Sequence, residues 1–184
     1  MAWDGWGALR GAASAVALVA TLTACAPEPA TAQVHDVALT VDTVQAALTE
    51  GADVIRIRDH PGGFLPRVVA EVTALNRAGV AGRIDGAYCF SACTVYLALH
   101  DVCVAPWTQF GFHAPRDPRS GRPVTGAAFD HATAHVAAYY RPALAAWWMR
   151  HGRHVERGMA FRTGAELIGM GYEACAPIGT SRTG

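Results

Sequence analysis

Val54-Ile55-Arg56-Ile57-Arg58 alternates apolar and charged residues and is rich in β-branched side chains, so it reads as a strand. Asp59-His60-Pro61-Gly62-Gly63 stops it abruptly. Leu65, Val68, Val69, Val72 and Leu75 then recur at helical spacing, with Gly79 where a C-cap belongs. Arg83 to Tyr88 predicts the next strand, which leads through Cys89-Phe90-Ser91 into a buried helix from Ala92 to Leu99. Val102-Cys103-Val104 and Thr108 to Phe112 predict two more short strands. Strand, helix, strand, helix and strand in this order imply an α/β fold with parallel pairing, because parallel neighbours need a crossover between them. Before this block, Asp42 is expected to cap a helix through Glu50 whose apolar face is Val44, Ala47 and Leu48. After it, residues 114–126 read as an exposed loop rich in Pro, Gly and Arg. Ala127 to Arg150 reads as helical, with Pro142 either kinking the helix or starting a second one. Thr163 to Tyr172 predicts a short helix ending at Gly171.

A chain of 184 residues holds one domain with a real core. Its N-terminal part reads as targeting sequence. Arg10 closes a short n-region, and the apolar run from Ala12 to Leu22 is too short to span a bilayer comfortably. The run ends in Leu22-Thr23-Ala24-Cys25, which resembles the bacterial lipobox, whose cysteine is lipidated. Residues 1–24 are therefore expected to be a lipoprotein-type signal peptide and 25–35 a tether. Residues 36–177 would form the folded domain and 178–184 a flexible tail. Cleavage before Gln33, after Ala30-Thr31-Ala32, is the rival and would give a secreted protein. Either cleavage places the chain outside the cytoplasm. The lipobox is preferred, which implies the periplasm or cell envelope and a membrane attachment through lipid on Cys25.

With Cys25 lipidated, Cys89, Cys93, Cys103 and Cys175 remain. An even number in an oxidising compartment suggests two disulfides, and three connectivities are open. Acidic and basic side chains balance at 15 each, which removes the electrostatic case for a nucleic-acid partner. Every basic side chain other than histidine is arginine; the chain contains no lysine.

Three motifs fall at the ends of three strands, where α/β folds build their sites. In Pro61-Gly62-Gly63, paired glycines let a backbone present its amides without obstruction, as a developing oxyanion requires. In Cys89-Phe90-Ser91-Ala92-Cys93, a serine stands at a strand-to-helix corner with the next amide near a helix N-terminus. In Gly111-Phe112-His113-Ala114-Pro115, a histidine just past a strand can take a serine's proton. A bridge between Cys89 and Cys93 would stiffen the serine's turn, whereas a free thiol there would be reactive; the structural role is preferred.

These motifs, in this order and spacing, resemble the periplasmic relatives of the Clp-protease catalytic subunit within the crotonase-like superfamily. The resemblance covers about residues 36–115 well and 127–172 loosely. It implies a ClpP/crotonase-like fold, a repeated ββα spiral with a C-terminal helical arm. It implies Ser91 as nucleophile, His113 as base, and the amides of Gly62 or Gly63 and of Ala92 as the oxyanion hole. The protease's third triad member is an aspartate, and no aspartate stands near Met159, where it would fall. Glu156 is the nearest carboxylate; Glu166 and Glu173 lie further on, and Asp130 would serve only if the long helix folds across the site. Relatives with this fold commonly form rings or trimers, so a homo-oligomer is a further expectation.

Histidines pose a metal alternative. His131 and His135 lie one turn apart and His151 and His154 three residues apart, but no adjacent Glu completes a metalloprotease pattern. Solvated helix faces are the expected explanation, and neither a metal nor a cofactor is expected. Tyr139, Tyr140, Trp147 and Trp148 are expected to pack the helical arm; Arg116, Arg119 and Arg122 form a basic loop beside His113 that either gates a substrate groove or is simply solvated, and solvation is preferred. The function expected is an exported serine peptidase or acyl hydrolase acting on a peptide or protein. The alternative is a non-catalytic module that binds an envelope protein or peptide. An acyl-coenzyme-A enzyme would share the fold, but export argues against it, since that cofactor is cytoplasmic.

Overall fold

The computed structural model describes residues 34–36 and 41–177. The expected signal peptide, Cys25, most of the tether and the tail lie outside the described residues. Strand β1 (Val34–Asp36) pairs in parallel with β2 (Val54–Ile57), so Val34 and His35 belong to the sheet rather than to a tether ending at 35. Between them runs α1 (Val41–Glu50), which buries Val44 and Ala47 as its spacing predicts. Asp42 lies inside its first turn, not at its cap.

From β2 the chain passes through α2 (Leu65–Ala78), β3 (Ala81–Ile84), β4 (Tyr88–Phe90) and a 3₁₀ helix (Ser91–Ala98). It then enters β5 (Val102–Val104) and β6 (Gln109–Phe112). The helical arm is α3 (Gly126–Ala137) and α4 (Pro142–Arg150), followed by a single 3₁₀ turn (Gly152–His154). Strand β7 (Ala160–Thr163), α5 (Gly164–Gly169) and β8 (Glu173–Ala174) complete the described chain. One sheet, all parallel, has the order β1-β2-β3-β5-β8. The other has the order β4-β6-β7, with β4 parallel and β7 antiparallel to β6.

The core lies where α2 and the 3₁₀ helix cover the first sheet. Ile55, Ile57 and Ile84 alternate inward from the strands and meet Val68, Val72 and Leu75 of α2. Gly79 ends α2 in the left-handed conformation, φ 72°, as its sequence position implies. Pro142 starts a second helix rather than kinking one long one, because its fixed φ suits a first turn and its missing N–H costs nothing there. Tyr140, Trp147 and Trp148 pack against Phe112, with Trp147 edge-on at 5.1 Å. Thr163 caps α5 in a reciprocal box with Glu166.

The strand expected from Arg83 to Tyr88 is two strands in two sheets. The chain turns at Asp85, whose buried carboxylate bonds Arg56 at 2.8 Å and Arg83 at 2.6 Å. Asp59 then accepts the Ala87 N–H at 2.6 Å. A Cβ on Gly86 would lie 2.4 Å from the Asp59 nitrogen, so only glycine lets the two backbones approach this closely. Burial pushes the Asp85 carboxyl upward, but the hydrogen bonds and charges of the two guanidiniums outweigh it and hold the group below its ordinary value. Its contribution to stability is therefore present above about pH 4 and lost as pH falls through the lowered folded-state value. Asp85→Ala would remove the buried carboxylate that two largely buried guanidiniums share and is expected to cost about 3 kcal/mol at pH 7. Urea unfolding should show that gap narrowing as pH falls below about 4.

Candidate active site

Backbone geometry brings the three strand-end motifs together. His60 lies alongside β4: its N–H donates to the Tyr88 carbonyl at 3.1 Å, and its carbonyl accepts the Phe90 N–H at 2.9 Å. The turn after β2 is thus laced to the strand that delivers Ser91. Gly62 has φ 104°, and a Cβ there would sit 2.6 Å from the Ser91 Cβ. Glycine is required on both counts.

Ser91 opens the 3₁₀ helix at φ 54°, a conformation that costs a non-glycine residue energy and persists only where the surroundings enforce it. Two enforcers are evident. Cys89 and Cys93, both fully buried, are joined by a disulfide that spans the corner. Inside the corner, Thr94 donates its hydroxyl to the Ser91 carbonyl at 2.8 Å. Of the three open connectivities, the structure has Cys89–Cys93 and Cys103–Cys175; the second ties β5 to the chain just past β8.

His113 follows β6, and its Nε2 lies 2.7 Å from Ser91 Oγ. Its Nδ1 lies 2.7 Å from the Ala114 carbonyl oxygen. A carbonyl only accepts, so Nδ1 carries the proton and Nε2 presents its lone pair to the serine hydroxyl. Ala114 is itself pinned, its N–H donating to the Val155 carbonyl at 2.9 Å.

Among the described residues, no carboxylate is seen hydrogen-bonded to this histidine. Glu156 is exposed and lines a separate hollow of about 230 Å³; its backbone carbonyl, not its carboxylate, is engaged, accepting from Arg116. Asp130 points outward, 74% exposed, toward Arg153. A peptide carbonyl takes the orienting place, which fixes the tautomer without supplying a negative charge.

The amides expected to hold an oxyanion differ in their engagement. The Gly62 N–H is committed to His60 Nδ1 at 3.0 Å. Gly63 remains at the cleft wall, and no partner for its N–H is found among the described residues. Ala92 lies in the first helical turn, where amides lack an intrahelical acceptor. Gly63, Ser91 and Ala92 all line the same cleft.

The cleft holds about 620 Å³ and is mostly apolar. Phe64, Leu65, Val95, Val136 and Trp148 are among its lining residues. Pro115 to Pro118 form the rim, so the loop read as merely solvated borders the site. Arg116 is not simply solvated, since it also bonds the Gly121 carbonyl at 2.9 Å. Among the described residues, no three His, Cys, Asp or Glu side chains converge as metal ligands. His135 instead contacts Tyr139, and His154 accepts from Arg153. His60 was missed as a functional residue. The available signal was an acceptor side chain two residues before a glycine amide, the arrangement Asn and Asp use in turns.

No family model and no curated protein matches the sequence. Among solved structures, the chain is similar to the 1510-N membrane-bound stomatin-specific protease, a lysine-to-alanine mutant in complex with a substrate peptide. The TM-score is 0.52 at 22% identity, over 74% of this chain and 66% of that one. A serine-to-alanine mutant of the same protease aligns with a TM-score of 0.40 at 23% identity, over 54% of this chain and 51% of that one. The chain thus spans just under two thirds of the length of that neighbour. The likeness shows that the chain shares the α/β fold of that protease.

Proposed function

We propose that the chain is a serine peptidase, with Ser91 as nucleophile, His113 as general base and the Gly63 and Ala92 amides as oxyanion donors. The observation that carries this reading is the 2.7 Å contact between His113 Nε2 and Ser91 Oγ, at a strained corner that lines a cleft of about 620 Å³. Ser91 Oγ attacks a scissile carbonyl carbon as its proton passes to His113 Nε2. The carbonyl oxygen becomes the oxyanion held by the two amides. Collapse breaks the C–N bond, and His113 returns the proton to the departing amine. Water, deprotonated by the same nitrogen, then hydrolyses the acyl-enzyme.

A peptide substrate is supported by the neighbour, a protease solved with a substrate peptide. This chain contains no lysine, and His113 is the basic side chain in hydrogen-bond contact with Ser91 Oγ. The order β3-β4-3₁₀ helix and β5-β6-α3, with each strand pair divided between the two sheets, supports the repeated ββα spiral, and α3 with α4 supports the helical arm. Action in the cell envelope, from a lipid anchor at Cys25, completes the proposal; it rests on the lipobox-like N-terminus and fits the two disulfides.

A binding module is the second reading, favoured by one observation: among the described residues no carboxylate supports His113. A quenched-fluorescent peptide library, read by mass spectrometry, separates the two. Cleavage by the wild type and none by Ser91→Ala supports the peptidase. Intact peptides with well-folded protein support the binding module.

A further inference from the structure

We infer that His60 is a positioning residue: by accepting the Gly62 N–H on Nδ1, it sets the glycine turn so that Gly63 is presented at the cleft wall with its amide uncommitted. The inference rests on the reading of Ser91 as nucleophile and of the glycine turn as oxyanion donor.

Two consecutive glycines are the most mobile dipeptide a chain can offer, and an oxyanion hole is effective only if its donors are fixed before charge develops. Something must therefore hold this turn. His60 is tied to β4 by two backbone hydrogen bonds, so its ring is fixed to the strand that carries Ser91. From there Nδ1 reaches two residues ahead to Gly62 at 3.0 Å. This is the contact by which Asn and Asp side chains close turns, made here by an imidazole. The ring packs edge-on against Tyr96 at 5.9 Å, and the Tyr96 hydroxyl donates to the buried carboxylate of Glu71. Glu71 is in turn paired with Arg67 at 2.9 Å. This network packs against the ring.

The contact requires an unprotonated Nδ1. Burial lowers the His60 basicity; Glu71 opposes the change and Arg67 adds to it, and the net direction is downward. The acceptor is thus in place at neutral pH.

The test compares the wild-type chain with His60→Ala and His60→Asn, whose side-chain oxygen can accept the same N–H. One readout is hydrolysis of a p-nitrophenyl ester, with kcat and KM separated. The other is amide hydrogen exchange at Gly62, which requires no activity. His60→Ala is expected to lower kcat about 10- to 100-fold, with KM changed less than about threefold, because a donor is misplaced rather than deleted. Gly62 exchange should accelerate at least about tenfold in His60→Ala. His60→Asn should restore both to within about threefold of wild type. The inference is overturned if His60→Ala leaves Gly62 exchange unchanged, or if His60→Asn is as impaired as His60→Ala. If the wild type proves inert toward the ester, the hydrolase reading fails, while the exchange comparison still decides what holds the turn.

Discussion

His113→Ala is expected to slow acylation of Ser91 by about 10⁴-fold or more while leaving the melting temperature nearly unchanged. The ring is half-buried at the cleft and makes two hydrogen bonds, to Ser91 Oγ and to the Ala114 carbonyl. Neither supports the core, which lies under α2 and the 3₁₀ helix. A stability change within about 1 kcal/mol is therefore expected. The loss of rate is large because no lysine exists to take the proton, and His113 Nε2 is the basic atom bonded to Oγ. Glu156→Ala should leave the rate within about twofold of wild type, since its carboxylate does not orient the imidazole and exposed substitutions usually do little. Ester hydrolysis and a thermal melt on the same preparations check all three statements. A strong effect of Glu156→Ala would mean that the carboxylate swings onto His113 when substrate binds.

Gly62→Ala should also be damaging, by a different route. The new Cβ would lie 2.6 Å from the Ser91 Cβ and 2.7 Å from the Phe90 carbonyl oxygen. Neither neighbour is the free end of a side chain; both belong to the corner that the disulfide closes. The clash must be relieved by separating the glycine turn from the serine, and φ 104° adds strain of about 1–3 kcal/mol for alanine. A rate loss of at least about 100-fold is expected, because misplacement on the order of 1 Å costs that much. Gly79→Ala is the matched control. It shares a positive φ of 72° but meets nothing within 4 Å, far from the cleft. It should lose about 1 kcal/mol of stability and no rate.

The sequence carried the α2 stripe, the alternation of β2 and the three strand-end motifs because each is a local pattern. Ile55 and Ile57 face inward since strands alternate, and Val68, Val72 and Leu75 do so since helices repeat every 3.6 residues. What was not legible depends on contacts between distant segments. The break between β3 and β4 is set by Asp85 meeting Arg56 and by Asp59 meeting Ala87, and neither pairing has a local signature. Strands β7 and β8 are short and half exposed, so their pairing with β6 and β5 leaves no run of apolar residues to read. The disulfide pairing, the positive φ of Ser91 and the turning of the Gly62 amide onto His60 are likewise consequences of the assembled site. The partner of His113 Nδ1 has no sequence signature either, because it is a backbone carbonyl and every residue has one.

Incubation of the folded protein with a fluorophosphonate, followed by peptide mapping, bears most directly on whether Ser91 is activated by His113. A single adduct on Ser91 is expected, absent in Ser91→Ala and strongly slowed in His113→Ala. No adduct on well-folded protein, or an adduct that forms in His113→Ala at the wild-type rate, would contradict a Ser91–His113 centre.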